Sequence, residues 1–465
     1  MFVIASGRTQ MPPKPHTAPL PVTTRIGQLP PTWDHSAVFF ADLYAIFYGE
    51  PEKTRELQRS VSGFFGYGGR LIPMLDLLYR GSGNVLILHQ EPEPATLDYF
   101  RRLGLSLPQI EILDHTRFPT FLDGIRGRPD LVKSLGGHPA EVIDGYVTDR
   151  HLEYIALDLN KPLVNSYRQG RDANNKVLLH RFLAQAGMPM FDGGEFCPGD
   201  GFDDIIRMLS DMGYGRAVVR SSLGASGFGV ATLDLDVDFD AGLPGHLMDE
   251  SCVLVQGWVE PGRLGITRVS SPSVQFFIGD HGIELFDLTG QLLKDASVHE
   301  GNITPPVDLP GDPGVVDEIL EQSRRVVTWV AGTGYRGTGS IDFLVYSQTK
   351  KTRVVVCEVN ARVTGATYPS LLARHFRPGR AWLMRNFGFE PVSAATGLLE
   401  RLERSGLLYL PGNREGVLPI NCIPDENGRI IKAQLLFLAD TPERCLDMID
   451  TCQQTLPDAR HDERD

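Results

Sequence analysis

The chain has 465 residues, 42% of them hydrophobic and 22% charged, with a formal net charge of -13. At roughly 100–200 residues per unit, that length implies two to four structural units with ample core. The acidic balance argues against general nucleic-acid binding, because it repels phosphate backbones, and no apolar run reaches the roughly 18 residues a membrane span needs.

Residues 1–32 are rich in proline, threonine and basic residues without a period, and they read as a mobile tail. The apolar run at 2–5 is too short for a secretory core and is followed by Arg8 and Lys14. Between 33 and 165 the pattern alternates. Strands are expected at 38–40, 84–89 and 109–113, and a helix at 94–103. Residues 52–79 carry mostly helical spacing, interrupted by Gly66, Gly68 and Gly69. Such alternation implies an α/β unit with a largely parallel sheet. Segment 153–166 runs from helix to a strand-like pair, and 172–187 reads as one amphipathic helix closed by Gly187. Strands follow at 217–220, 229–233, 253–256, 274–278 and 283–287, then a helix at 317–332. Two long strands at 339–346 and 353–360 read as a pair, followed by a helix at 368–375. After 391 the strands 417–422 and 430–438 and the helix 441–453 suggest a small α+β unit.

The six cysteines, Cys197, Cys252, Cys357, Cys422, Cys445 and Cys452, form neither a Cys-x-x-Cys pair nor a zinc spacing. In so long a chain they read as reduced, buried thiols, which implies a cytoplasmic protein.

Four segments carry chemistry. Arg220-Ser221-Ser222-Leu223-Gly224-Ala225-Ser226-Gly227-Phe228-Gly229 brings a cation on a strand to a Gly/Ser loop and then a second strand. Glycines let backbone N–H groups approach an anion, and Ser and Arg add directed donors. It lacks the Gly-Lys-Ser/Thr end of a P-loop, and it does not open a helix as a dinucleotide fingerprint would. A glycine-rich hairpin without a ligand fits the same residues. In Asp342…Glu358-Val359-Asn360-Ala361-Arg362, residues two apart on a strand share a face, so Glu358 and Asn360 look the same way. Two carboxylates and an amide oxygen would make a hard site suited to Mg²⁺ held with phosphates. The alternative is a salt-bridged polar face, but these residues interrupt apolar strands, where carboxylates need cations. Val253-Leu254-Val255-Gln256-Gly257-Trp258-Val259-Glu260 is a strand-to-loop hinge able to offer backbone groups to a ring edge. Lys176 heads a helix, where a lysine is usually solvated.

Taken together and in order, these segments resemble the ATP-grasp superfamily over about residues 165–385. The resemblance implies that Lys176 and Arg220 hold ATP phosphates and that the loop 222–229, with Ser222, Gly224, Ser226, Gly227 and Gly229, closes over them. It implies that Gly257 and Val259 contact adenine beside Gln256, that Glu260 is a candidate ribose ligand, and that Asp342, Glu358 and Asn360 bind Mg²⁺, with Mn²⁺ as an acceptable substitute. Arg362 then contacts a phosphate or the acyl phosphate, giving it and Arg220 a catalytic role. Arg220 stands where the superfamily usually has lysine, and its forked guanidinium would still grip phosphate. Ser340 stands where D-alanine–D-alanine ligases carry an arginine, which argues against that branch. Ser271-Pro272-Ser273-Val274-Gln275 and Gly290-Gln291-Leu292-Leu293 look similar to peptide ligases of the pheganomycin type.

The implied architecture is multidomain, α/β and α+β: a tail at 1–32, a Rossmann-like pre-ATP-grasp domain at 33–165, an ATP-grasp core at 166–390 with its lid at about 190–260, and a small C-terminal domain at 391–465. The implied activity is ATP-dependent joining of a small-molecule carboxylate to an amine, with amino acids or peptides as candidate substrates. No nucleic-acid or membrane partner is expected, and a homodimer is compatible. A carboxylase or phosphotransferase on the same core, or a nucleotide-binding module without catalysis, are the alternatives. Arg268, Gln291 and His299 are positional candidates for substrate contact, although structural roles fit each better.

Overall fold

Short runs of β-branched and apolar residues become three sheets in the computed structural model. It describes residues 19–48, 54–55, 59, 63–80, 83–197, 200–224, 229–236, 252–294, 298–349, 351–389, 394–425, 427–456 and 459–461. Strand β1 (Val22–Thr24) stands apart from the N-terminal sheet. That sheet contains β2 (Ala37–Phe40), β3 (Val85–Leu88), β4 (Gln109–Ile112) and β5 (Val142–Gly145). All pairings are parallel, in the order β4-β3-β2-β5. β2 and β3 are buried along their whole length, as befits parallel strands covered on both faces. The strand order reverses between β2 and β5, so a crevice is expected outside their carboxyl ends.

The second sheet is antiparallel: β6 (Gly193–Phe196), β7 (Arg216–Ser221), β8 (Val230–Asp234) and β9 (Val253–Gly257), in the order β6-β9-β7-β8. Phe196 pairs with Val253, which sets the next residues, Cys197 and Cys252, opposite each other. They form a disulfide with Cα atoms 4.2 Å apart. The expectation of six reduced thiols is therefore corrected for this pair. A separation of 55 residues hid the pair, because only the strand pairing brings its ends together. Cys357, Cys422, Cys445 and Cys452 are unpaired.

The third sheet takes β10 (Ile266–Ser270), β11 (Pro272–Ile278), β12 (Ile283–Lys294), β13 (Val298–Thr304), β14 (Gly337–Gln348) and β15 (Lys351–Asn360). It continues through β16 (Ala381–Phe389), β17 (Gly416–Pro424), β18 (Ile430–Ala439) and β19 (Ala459–His461). With β1 the sheet has eleven strands among the described residues, on the path β10-β14-β11-β12-β13-β16-β18-β17. β1 lies parallel to β12, so residues 22–24 of the expected tail are not mobile: they complete a sheet. Residues 1–18 lie outside the described residues. β17 and β18, beyond residue 391, continue the same sheet beside β16.

Two helical expectations change. The single helix at 172–187 is two helices, Tyr167–Ala173 and Lys176–Gln185. Asn175 caps the second, its side chain accepting from the N–H groups of Val177 and Leu178. Part of 52–79 lies outside the described residues. The rest contains the 3-10 helix Phe64–Leu71 and the short helix Leu75–Leu78. Gly69 explains why glycine interrupts the pattern: a Cβ there would come within 2.4 Å of Asn421 Oδ1 on β17. Among the described residues no helix is long and apolar enough to cross a membrane.

One ion pair is sealed in the core. Asp287 on β12 and Arg374 on the helix Thr367–Phe376 have side chains 0% and 2% exposed. Arg374 donates to both carboxylate oxygens, at 2.8 and 3.0 Å, and Trp382 Nε1 donates at 3.1 Å. Removing the cation alone would strand a buried charge. Arg374→Met is expected to lower stability by about 3–5 kcal/mol. The double change Asp287→Leu with Arg374→Met should cost less than the single one. Chemical denaturation of the three proteins checks both expectations, and equal stability of wild type and Arg374→Met contradicts them.

Candidate functional site

The paired strands β14 and β15 put Asp342 opposite Glu358 and Ser340 opposite Asn360. The amide of Asn360 bridges the two carboxylates, its Nδ2 donating to Asp342 Oδ2 at 2.9 Å and to Glu358 Oε1 at 3.1 Å. Ser273 on β11 and Ser340 hold the other oxygen of Asp342, at 2.6 and 3.1 Å. Glu358 and Asn360, expected to share one face, therefore converge with Asp342 on the neighbouring strand. A half-turn of the Asn360 amide would leave three oxygens facing one point, a donor set that fits a hard divalent cation.

Two cations meet the far oxygen of Glu358. Arg220 at the end of β7 lies 2.9 Å from Oε2 and Lys176 Nζ lies 3.3 Å from it. Their side chains are only 10% and 7% exposed, so both charges are largely taken from water. Burial pushes the Glu358 carboxyl up, but Lys176, Arg220, the Asn360 amide and Arg362 outweigh it and hold the group below the usual carboxylate range. Asp342 moves the other way: burial and the adjacent Glu358 charge raise it, against hydrogen bonds from Ser273 and Ser340. Burial likewise lowers Lys176.

Lys176 also ties down the loop after β7. Its N–H donates to Ser222 O at 2.9 Å and its Nζ to Gly224 O at 2.8 Å. The loop neck is closed by Ser221 N–H on Gly229 O at 2.7 Å, with Gly229 at φ 76°. Ser226 and Gly227 lie outside the described residues.

A cavity of about 540 Å³ lies between the second and third sheets. Val218, Leu344 and Cys357 give it apolar walls, while Arg220, Gln256, Gly257, Val259 and Glu260 lie along its rim. Apolar walls with a few polar groups at one edge suit a flat ring. Gly257 admits no side chain, since a Cβ would meet the Tyr214 ring at 2.4 Å. Glu260 reaches the cavity, but its carboxylate is paired with Arg216. Gln291 lines the same cavity, Arg268 lies on β10, and the side chain of His299 falls outside what is described.

Arg362 lies apart from this cavity, in a recess lined by Asp144, Tyr146 and Tyr335. Its charge still reaches Asp342 and Glu358. Asn174, not singled out in the sequence, orients it. Asn174 Oδ1 accepts from Arg362 Nη1 at 3.1 Å and from Ala361 N–H at 2.9 Å, while its Nδ2 donates to Ala361 O, Gly170 O and Tyr48 Oη. The Asn174-Asn175 pair was the available signal, since two such residues favour a helix break over a helix interior.

The sequence matches no protein-family model. It is 27% identical over 294 residues to the [butirosin acyl-carrier protein]–L-glutamate ligase of Niallia circulans, a match covering 61% of this chain and 62% of that protein. The chain thus spans less than two thirds of that relative's length. A biotin carboxylase–β-γ-ATP complex from Campylobacter jejuni superposes with a TM-score of 0.55 at 11% identity, covering 91% of this chain and 92% of that one. An ADP complex of the N5-carboxyaminoimidazole ribonucleotide synthetase purK gives 0.51 at 12% identity, covering 91% and 97%. The chain therefore shares its fold with these two enzymes.

Asn174→Ala should leave the Ala361 peptide and the Arg362 guanidinium short of partners. A loss of about 1–3 kcal/mol is expected, with Tyr48 losing its amide donor as well. Thermal denaturation alongside an exposed control such as Asn427→Ala checks it: equal midpoints would remove Asn174 from the scaffold.

Proposed function

We propose that the chain is an ATP-dependent ligase that activates a carboxylate as an acyl phosphate and transfers the acyl group to an amine, releasing ADP and phosphate. The observation that carries the reading is the convergence of Lys176, Asp342, Glu358 and Asn360 on Arg220, which itself lines an apolar-walled cavity. Adenine fits against Val218 and Leu344, with the backbone of Gly257 and Val259 at its edge. The triphosphate then runs toward Lys176 and Arg220. Asp342, Glu358 and Asn360 would hold Mg²⁺, which when bound neutralises phosphate charge. Ser222, Gly224, Ser226, Gly227 and Gly229 would cover the phosphates and keep water from the acyl phosphate.

The chemistry asks little covalent work of the protein. A substrate carboxylate oxygen attacks the γ-phosphorus in line and ADP leaves. The amine then attacks the acyl carbon and phosphate departs. Lys176 and Arg220 are already gathered at the distal end, on Glu358, so phosphate oxygens would replace that carboxylate as their partner. Arg362, oriented by Asn174, is available to the acyl phosphate from the opposite recess. The Niallia circulans relative is named for joining L-glutamate to an acyl-carrier protein, which supports an amino-acid substrate and makes a carrier protein the second candidate acceptor.

Glu358→Gln is expected to keep the fold and to lose turnover by about 100-fold or more, because one ligand charge disappears. Wild-type turnover would take Glu358 out of the site. Arg220→Ala should weaken ATP binding by about 2–4 kcal/mol, as charge-assisted bonds in a desolvated setting are lost; calorimetry reads this directly. The reaction itself is tested with oxygen-18 in the substrate carboxylate. Label should appear in inorganic phosphate, with ADP as the nucleotide product. Label in AMP, or AMP as the main product, would replace the acyl-phosphate path with adenylation.

A further inference from the structure

A further cation, outside the cluster of Lys176 and Arg220, lies under the N-terminal sheet. Arg70 is in the last turn of the 3-10 helix Phe64–Leu71, and its guanidinium sits among three tyrosines. Its Cζ is 5.6, 5.3 and 5.1 Å from the ring centres of Tyr67, Tyr146 and Tyr368. Its Nε donates to Tyr146 Oη at 3.0 Å. Tyrosine oxygens and rings are its electrostatic partners, and among the described residues no carboxylate is paired with it. By contrast, the sealed guanidinium of Arg374 has a full carboxylate partner in Asp287.

The floor beneath Arg70 is polar where its surroundings are not. Asn386 on β16, Gln434 on β18 and Asn421 on β17 are register partners in three adjacent strands, so they form one row on one face. Gln434 is 3% exposed and Asn421 5%, in strands whose other residues are apolar apart from Lys432. Gln434 Nε2 donates to Tyr368 Oη at 2.9 Å and to Asn386 Oδ1 at 3.1 Å, while its own Oε1 is buried without a partner. Asn421 Nδ2 holds Gly66 O at 3.0 Å, which seats the Arg70 helix on the row. Burying such a row costs stability unless every group is hydrogen-bonded, and Gln434 Oε1 is not.

The position is that of a ligand site. Tyr146 directly follows β5, at the carboxyl end of the strand where the order of the N-terminal sheet reverses, and such crevices take ligands in open α/β sheets. The same tyrosine lines the recess that contains Arg362. On the other side, Tyr368 stands on the helix that follows Arg362 and Thr364. Thr364 hydrogen-bonds Gln275 at 3.4 Å, and Gln275 donates to Ser273, the partner of Asp342.

We infer that Arg70, with Tyr146 and Tyr368, holds the non-reacting carboxylate of an amino-acid or peptide substrate. A planar guanidinium matches a carboxylate with two parallel hydrogen bonds, and the phenol hydroxyls add further donors. The inference rests on the ligase reading above and supplies what that reading lacks, a recognition element for the class of substrate.

The probes are pairs, with ATP and Mg²⁺: each of the twenty standard amino acids as the donor acid, and amino acids or dipeptides as the amine acceptor, the acceptor offered as free acid and as C-terminal carboxamide. ADP release and the shift in thermal midpoint are both recorded. At least one free acid should give a response, with KM for its carboxamide higher by tenfold or more; whether amino acids or dipeptides respond identifies the source of the carboxylate. Arg70→Gln should raise KM for the acid by tenfold or more and abolish the preference for acid over carboxamide, while the shift caused by ATP alone persists. Arg70→Lys should recover part of the preference. If Arg70→Gln fails to fold, Tyr368→Phe keeps the ring and should still weaken the preference. Equal responses to acids and carboxamides in the wild type, or an intact preference in Arg70→Gln, overturns the assignment. Acid-specific thermal shifts without ADP from any probe would sustain the carboxylate site and defeat the ligase reading.

Discussion

One carboxylate oxygen organises this molecule. Glu358 Oε2 is gripped by Lys176 from the start of a helix and by Arg220 from the second sheet, while Glu358 itself belongs to the third. Three separately built elements therefore meet at a single atom. The arrangement holds because the Glu358 charge offsets the repulsion between the two cations, and none of the three could be buried alone at so little cost. It is also exchangeable, since another anion brought to the same place could satisfy the two cations equally well.

Around that atom the hydrogen bonds are graded. Asn360 and the two serines fix Asp342, Asn174 fixes Arg362, and the loop after β7 is held by Lys176 through the carbonyls of Ser222 and Gly224. The first two groups are on strands or at helix ends within the packed core. The third includes two backbone carbonyls held by Lys176 and the neck at Gly229.

The site was legible where its signal was local. Asp342, Glu358 and Asn360 announce themselves by interrupting apolar strands, and strand periodicity alone puts Glu358 and Asn360 on one face. Arg220 before a Gly/Ser loop was legible for a similar reason. What stayed hidden depends on pairings distant in sequence. Ser273 reaches Asp342 across β11 and β14, and Cys197 meets Cys252 because β6 lies against β9. β1 was taken for a tail because three residues show no period until β12 offers them an edge. The helix at 172–187 failed locally: its apolar spacing outweighed Asn174-Asn175, yet those side chains are committed elsewhere and end the helix there. Gly69 could be read as a helix breaker, but its reason for being glycine is a β17 side chain far along the chain.

The second sheet enters and leaves the rest of the protein at one point. Its first and last strands, β6 and β9, are neighbours, Gly193 faces Gln256, and Gly257 N–H is bonded to Asp192 O at 2.9 Å. Topologically the segment is an insertion with touching ends, not a link in the path of the larger sheet. Such a piece can be exchanged as a cassette. A counterpart from another protein with the same end-to-end spacing could be spliced in without re-threading β10 to β18. Lineages could thus vary this sheet, Arg220 included, while keeping the strands that carry Asp342, Glu358 and Asn360.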